Sequence, residues 1–247
     1  MRHLLQETEK NAKVFASEFI GELAAAHASL TRNEQALLSS YRSVVSLQGW
    51  RVLLLDRVYG SAANAFFLEA HNDALQSFVC ANLGLWRPAL QSLRSSIEGV
   101  FGAEYYNDHP VEYKLWSEGK HRFNYSDYAS YFKAHPTGIS ADEDIDPLVH
   151  LRTEYRLLSQ AVHASSIPYR MTIEGQLTIS NVEPCNHGKW LARHIRTVRA
   201  LNLFLMALYR DRLQGAELRE LRKCISLAIP ASLHARIHQE WGIHLFS

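Results

Sequence analysis

The stretch LVHLRTEYRLLSQAVHAS, residues Leu148–Ser165, decides how this chain is read. Leu148, Leu151, Tyr155, Leu158 and Val162 recur every three or four residues, which makes one stripe of an amphipathic helix. A polar stripe runs beside it: Arg152, Arg156, Ser159 and His163. At about 100° per residue, Arg156 and His163 lie two turns apart and point the same way. The polar stripe sits roughly a quarter turn from the centre of the apolar one, at the edge of the buried face, where side chains meet a cleft or a partner.

Outward from this stretch the pattern stays helical. A first helix is expected over about residues 4 to 28, with Phe15, Phe19, Leu23 and Ala26 on its face. Thr31-x-x-Glu34 reads as a capping box that opens a second helix through Leu37, Tyr41 and Val44, with Gly49 as a candidate break. A helical segment over 50 to 59 ends at Gly60. A third long helix runs from about 62 to 83, and Gly84 is a candidate C-cap. Pro88 suits the first turn of the next helix, which runs to about Tyr106. Leu90, Leu93, Ile97 and Val100 form its stripe, with Arg94 and Glu98 alongside. Pro110 can start a short helix through Trp116. An aromatic-rich polar stretch follows, with Phe123, Tyr125, Tyr128, Tyr131 and Phe132. After an acidic loop, Asp144 or Asp146 with Pro147 opens the central helix.

Past Pro168, residues Arg170 to Ser180 alternate around Glu174-Gly175, the pattern of an inserted β-hairpin over about residues 170–181. A long helix is expected over Trp190 to about Leu213, then helices over 217 to 227 and from Pro230 to Trp241. The fold class expected is all-α, a helical bundle with one inserted β-hairpin. It is read as one helical domain over 1–247, with N-terminal helices over 1–60, a core over 62–210 and C-terminal helices over 211–247.

The chain has 247 residues, 47% of them hydrophobic, enough for a sizeable core, and a formal net charge of +1, so no global basic field points to nucleic acid. Its three cysteines are widely spaced, which supports neither a disulfide framework nor a zinc knuckle and suits a reducing cytoplasm. The N-terminus turns charged too soon for a signal peptide, and the longest apolar run, Leu203 to Tyr209, is short of the ~20 residues of a membrane span. The expected location is therefore cytoplasmic, with no membrane. There is no Gly-rich phosphate loop, no G-x-S-x-G and no H-E-x-x-H, and no cofactor or metal is called for.

Arg156 and His163 form the leading candidate for chemistry. A histidine can take the proton from a ribose 2′-OH or give one to the leaving 5′-oxygen. An arginine can neutralise the charge that builds on the phosphate. The i, i+7 spacing lets both reach one side of a helix. Ser159 can orient the imidazole, and Arg152 extends the positive strip. The plain alternative is a satisfied polar edge, since such pairs arise by chance in a chain rich in both residues. For Arg94 and Glu98 the plain reading is an i, i+4 ion pair. The functional one has Glu98 hold Arg156 or His163 in place. His71 beside Asn72 and Asp73 reads as a core or interface histidine. Cys185, His187 and His194 lack an obvious fourth metal ligand. The aromatic stretch 123–132, flanked by Lys120, His121, Arg122 and Lys133, either stacks bases or packs as a cap on the bundle.

Two pieces resemble the HEPN superfamily, in particular its abortive-infection and toxin–antitoxin branches. One is R156-LLSQAV-H163 followed by Ala-Ser-Ser; the other is LGLWRPALQSLRSSIEG, 83 to 99, similar to a pattern in an earlier helix of such proteins. The resemblance spans about residues 62–210. It implies a HEPN-like bundle, a homodimer with two arginine–histidine pairs facing a shared cleft, and metal-independent cleavage of RNA, as in a toxin or antiviral-defence endoribonuclease. Arg156 and His163 would be catalytic, with Ser159, Arg152, Glu98 and Arg94 in support. The residue after the arginine is often polar in active members and is Leu157 here. That favours the alternative: a catalytically inactive helical module that binds a regulatory partner protein.

Overall fold

In the computed structural model, which describes residues 2–163, 172–173, 176–177 and 180–246, two helices carry the core. These are α5 (Trp86–Asp108) and α9 (Pro184–Leu208). Every residue from Val100 to Tyr106 in α5 is buried, as is every residue from Ala200 to Ala207 in α9. Helices apolar on all sides belong inside a bundle rather than on its surface. Around them pack α4 (Ser61–Asn82), α8 (Pro147–Val162), α2 (Glu34–Trp50) and α11 (Arg219–Ser226). Helix α4 lies on α5, α8 lies against both α5 and α9, and α2 bridges α9 and α11.

Local signals set the helix ends, sometimes at other residues than expected. The cap of α2 is Asn33, whose side chain accepts from Ala36 N at 3.1 Å. Thr31 instead donates back to His27 O at 2.7 Å and closes α1 (Arg2–Leu30), so the predicted capping box does not form. Gly49 does not break α2 either. The helix runs on through Trp50, widens into a π-helical turn at Arg51–Leu55 and ends in α3 (Asp56–Val58). A Cβ on Gly49 would lie 2.6 Å from Cys224 Cβ, so this glycine is there for close packing of α2 on α11. Gly84 does end α4 with a left-handed φ of 73°. Its carbonyl accepts from Asn181 N at 3.0 Å, which ties the α4–α5 turn to the approach of α9.

Helix α6 (Pro110–Ser117) begins at its proline. The aromatic stretch forms a helix of its own, α7 (Tyr125–Lys133), closed by a capping box between Asn124 and Asp127. Its rings pack as a cap on α5: Phe123 lies 4.4 Å from Tyr105, and Tyr125 stacks at 5.6 Å on Phe101. These rings are committed to the bundle rather than left free for stacking. Thr172–Ile173 (β1) pairs antiparallel with Gln176–Leu177 (β2). Glu174-Gly175 and most of the rest of the expected hairpin lie outside the described residues. Helix α9 starts at Pro184, so Cys185 and His187 sit in its first turn and not in a loop. It stops at Leu208 and is followed by α10 (Arg210–Leu213), by α11 and, after a short helical turn at Ala231–Leu233, by α12 (His234–Trp241).

Two polar devices lock the core. Trp50 Nε1 donates to Asn202 Oδ1 at 2.9 Å, and Asn202 Nδ2 donates to Ser46 Oγ at 2.8 Å, joining α2 to α9. Glu104, in the apolar middle of α5, accepts from the hydroxyls of Tyr59 and Tyr209, the latter at 2.9 Å. By contrast most of α1 stands clear of the bundle: Leu5, Phe15 and Ile20 are exposed, and only Ala26 and Leu30 are buried. Among the described residues no helix is long and apolar enough to cross a membrane.

Candidate functional site

Helix α8 owes its start to Asp146, whose carboxylate accepts from Leu148 N at 2.9 Å and Val149 N at 3.1 Å. Pro147 at the first position needs no partner for a donor it lacks. Leu151, Glu154, Leu158 and Ala161 are buried against α5 and α9. That burial sets the rotation of the helix. It turns Arg152, Arg156 and His163, which fall within about 40° on the helical wheel, toward solvent, and all three are exposed. The helix ends at Val162, so His163 is its C-cap, with its N–H on Ser159 O at 3.1 Å. Arg87 of α5 donates to Val162 O at 2.8 Å and holds this last turn. A cation at that end also complements the helix dipole.

Under the exposed ridge lies a closed polar seam between α5 and α8. Arg94 donates from Nε to Ser159 Oγ at 3.1 Å and from Nη2 to Glu98 Oε1 at 3.0 Å. The same guanidinium donates to Tyr155 Oη, which in turn donates to Glu98 Oε1 at 2.7 Å. The Arg94 guanidinium lies 4.7 Å from the centre of the Tyr155 ring, and Tyr125 stacks on that ring at 3.8 Å. Burial, reinforced by the bond to Glu98, pushes the Tyr155 hydroxyl up to about 12, so it stays a donor at neutral pH. Ser159 spends its own proton on Tyr155 O at 2.8 Å.

The structure therefore brings together four residues of the seam, Arg94, Glu98, Ser159 and Tyr155. It places Arg152, Arg156 and His163 on the adjoining surface. Glu98 reaches Arg94 and Tyr155 rather than Arg156 or His163. Among the described residues Arg156 and His163 enter no ion pair. Sequence reasoning put Tyr155 in the apolar stripe and missed its hydroxyl. The available signal was its position on the border of the two stripes.

The other candidate clusters sit on helices α4 and α9. Half-buried Asp73, on α4, is pushed up to about 6 by burial, then by Glu69 and Glu98. His71 is lowered by burial and by Arg51, consistent with a packing histidine. His194 is fully buried, donates from Nε2 to Ser40 O at 3.2 Å, and is lowered to about 4 by that burial. Among the described residues no group of three or more His, Cys, Asp or Glu side chains is arranged to hold a metal. The chain matches no family model, no curated protein and no solved structure.

Proposed function

We propose that this chain is a HEPN-like, metal-independent endoribonuclease of toxin or antiviral-defence type whose reacting groups stand on the outer face of α8. The observation that supports the reading is the pairing of exposure with support. Arg156 and His163 share one solvent-facing strip without a neutralising carboxylate among the described residues, and the strip rests on the Arg94–Glu98–Tyr155–Ser159 seam. A fixed base helps only if its helix does not roll, and the seam opposes that motion.

The step is a transesterification. A base takes the 2′-OH proton, O2′ attacks phosphorus, the P–O5′ bond breaks, and O5′ leaves with a proton from an acid. The products are a 2′,3′-cyclic phosphate and a 5′-hydroxyl end. His163 serves as base or acid, and Arg156 neutralises the phosphate oxygens as charge builds. One imidazole per chain supplies one of these two proton transfers. That favours a homodimer in which a second copy supplies the other, and Arg152 would extend the basic track for RNA.

A second reading has the same face bind a regulatory partner protein without catalysis. Val149 is 46% exposed on this strip, an apolar residue beside the arginines, and Leu157 follows Arg156. The deciding experiment is incubation of the purified protein with RNA in EDTA, reading the ends produced. The ribonuclease reading expects cyclic-phosphate ends that disappear with His163→Ala and with Arg156→Ala. Equal cleavage by the His163→Ala protein, or cleavage only with added Mg²⁺, would overturn it.

A further inference from the structure

The other flank of α8 holds a second cluster, independent of the face proposed above. A cavity of about 70 Å³ lies between α8 and α9, lined by Asp144, His150, Thr153, Glu154, Arg196 and Arg199. A water molecule's share of the liquid is about 30 Å³, so this is room for about two waters or one tetrahedral oxyanion.

The charges in this cavity do not balance locally. Glu154 is buried and accepts twice from Arg193 Nη1, at 2.9 and 3.0 Å. The carboxylate of Asp144 is taken by Arg236, which also holds Asp142 at 2.7 Å. Glu154 thus has an arginine of its own, and Asp144 shares one with Asp142. Arg196 and Arg199 are left over, one turn apart on α9, with no acceptor among the described residues. Arg199 is half-buried, and its Nε is shielded from water with no hydrogen-bond partner. Burial and the neighbouring Arg196 both work against its charge. Two guanidinium groups lining one cavity, one with a buried orphan donor, are an arrangement that an anion completes. Thr153 spends its proton on Val149 O at 3.0 Å, and His150 Nε2 donates to Asp144 O at 3.0 Å, so these two shape the wall rather than supply the charge.

We infer that Arg196 and Arg199 form a binding site for a phosphate dianion, either the free ion or the terminal phosphate of a nucleotide. Two guanidinium groups on one cavity suit a dianion, because a planar guanidinium can offer two N–H groups together to two oxygens. The cavity takes the phosphate alone, so a nucleoside attached to it would lie outside.

The test is calorimetric titration of the full chain with inorganic phosphate, adenosine monophosphate and adenosine, at an ionic strength held constant with chloride. Saturable binding of phosphate or of the monophosphate, but not of adenosine, is expected. Arg196→Gln and Arg199→Met should each weaken it tenfold or more. Tighter binding of the monophosphate identifies a nucleotide as the source, and equal binding identifies the free ion. Arg196 is exposed, so its variant keeps the test valid if Arg199→Met fails to fold. Absence of saturable binding by either phosphate, or equal affinity in wild type and Arg196→Gln, overturns the site. RNA cleavage is not the readout, so the result stands apart from the fate of the ribonuclease reading.

Discussion

Tyr155 of α8 donates its hydroxyl proton to Glu98 of α5 at 2.7 Å while accepting from Arg94, so one oxygen joins the two helices and closes an Arg94–Glu98–Tyr155 triangle. Tyr155→Phe removes both bonds but leaves the Arg94–Glu98 pair. Urea unfolding should show a loss of about 1–3 kcal/mol, the net worth of two such bonds to charged groups in a partly exposed site. No loss would mean that the triangle adds nothing to the packing of α8 on α5. Glu98→Gln should also lower stability, because the carboxylate serves the seam and not a loose surface pair.

Arg156 and His163 should separate activity from stability. Both are exposed, and among the described residues neither enters an ion pair. Alanine at either position should change unfolding free energy by less than about 0.5 kcal/mol, as for ordinary surface substitutions. The same variants should lose RNA cleavage. A large loss of stability with His163→Ala would show that the residue acts as a structural cap of α8.

Glu104 gives the fold a pH dependence whose sign is fixed by burial. Burial raises its pKa from 4.5 to about 8, against the two tyrosine bonds that favour the ionised form. The folded chain therefore holds a proton that the unfolded chain has lost. Stability is full below the unfolded value and falls as pH rises toward the folded one. Between pH 7.5 and 8.5 this group stands apart from two others. His194, at about 4 when folded against an ordinary value of 6.5, is neutral in both states there, and Asp73, at about 6, is ionised in both. Wild type should lose about 1.4 kcal/mol per pH unit there at most. Glu104→Gln should lose correspondingly less. Urea unfolding at the two ends of the window checks this, and an equal slope in the variant would refute it.

The same substitution should act in opposite directions at two helical glycines. A Cβ on Gly49 meets Cys224 Cβ at 2.6 Å, so Gly49→Ala must force α2 and α11 apart. The expected loss is about 1–3 kcal/mol despite alanine's better helix propensity. A Cβ on Gly21 of α1 meets nothing within 4 Å. Gly21→Ala should raise the helicity of α1, a gain of up to about 1 kcal/mol. Circular dichroism and thermal unfolding of the two variants read both signs.

The helices were legible along the chain because their signals are local. Apolar residues three and four apart mark the buried stripe of α8, Asp146-Pro147 marks its start, and Gly84 ends α4 within a residue of the expected place. Short polar motifs near helix ends were less legible. Thr31 and Asn33 both offer a side-chain oxygen, and which one caps α2 depends on how the chain turns out of α1. Gly49 reads as a break when only the backbone is considered. Its reason lies in Cys224, far away in the chain.

Sequence alone determined that the chain is helical and that Arg152, Arg156 and His163 share a face, because a helix's periodicity converts spacing into direction without reference to any neighbour. Only the tertiary structure decided that this face is open. It also decided that Tyr155, Arg94, Glu98 and Ser159 meet beneath it, and that Arg196 and Arg199 are left without acids of their own among the described residues. Charge balance and burial depend on which helices lie side by side. That depends on packing between residues as distant as Arg94 and Tyr155, which no local pattern encodes.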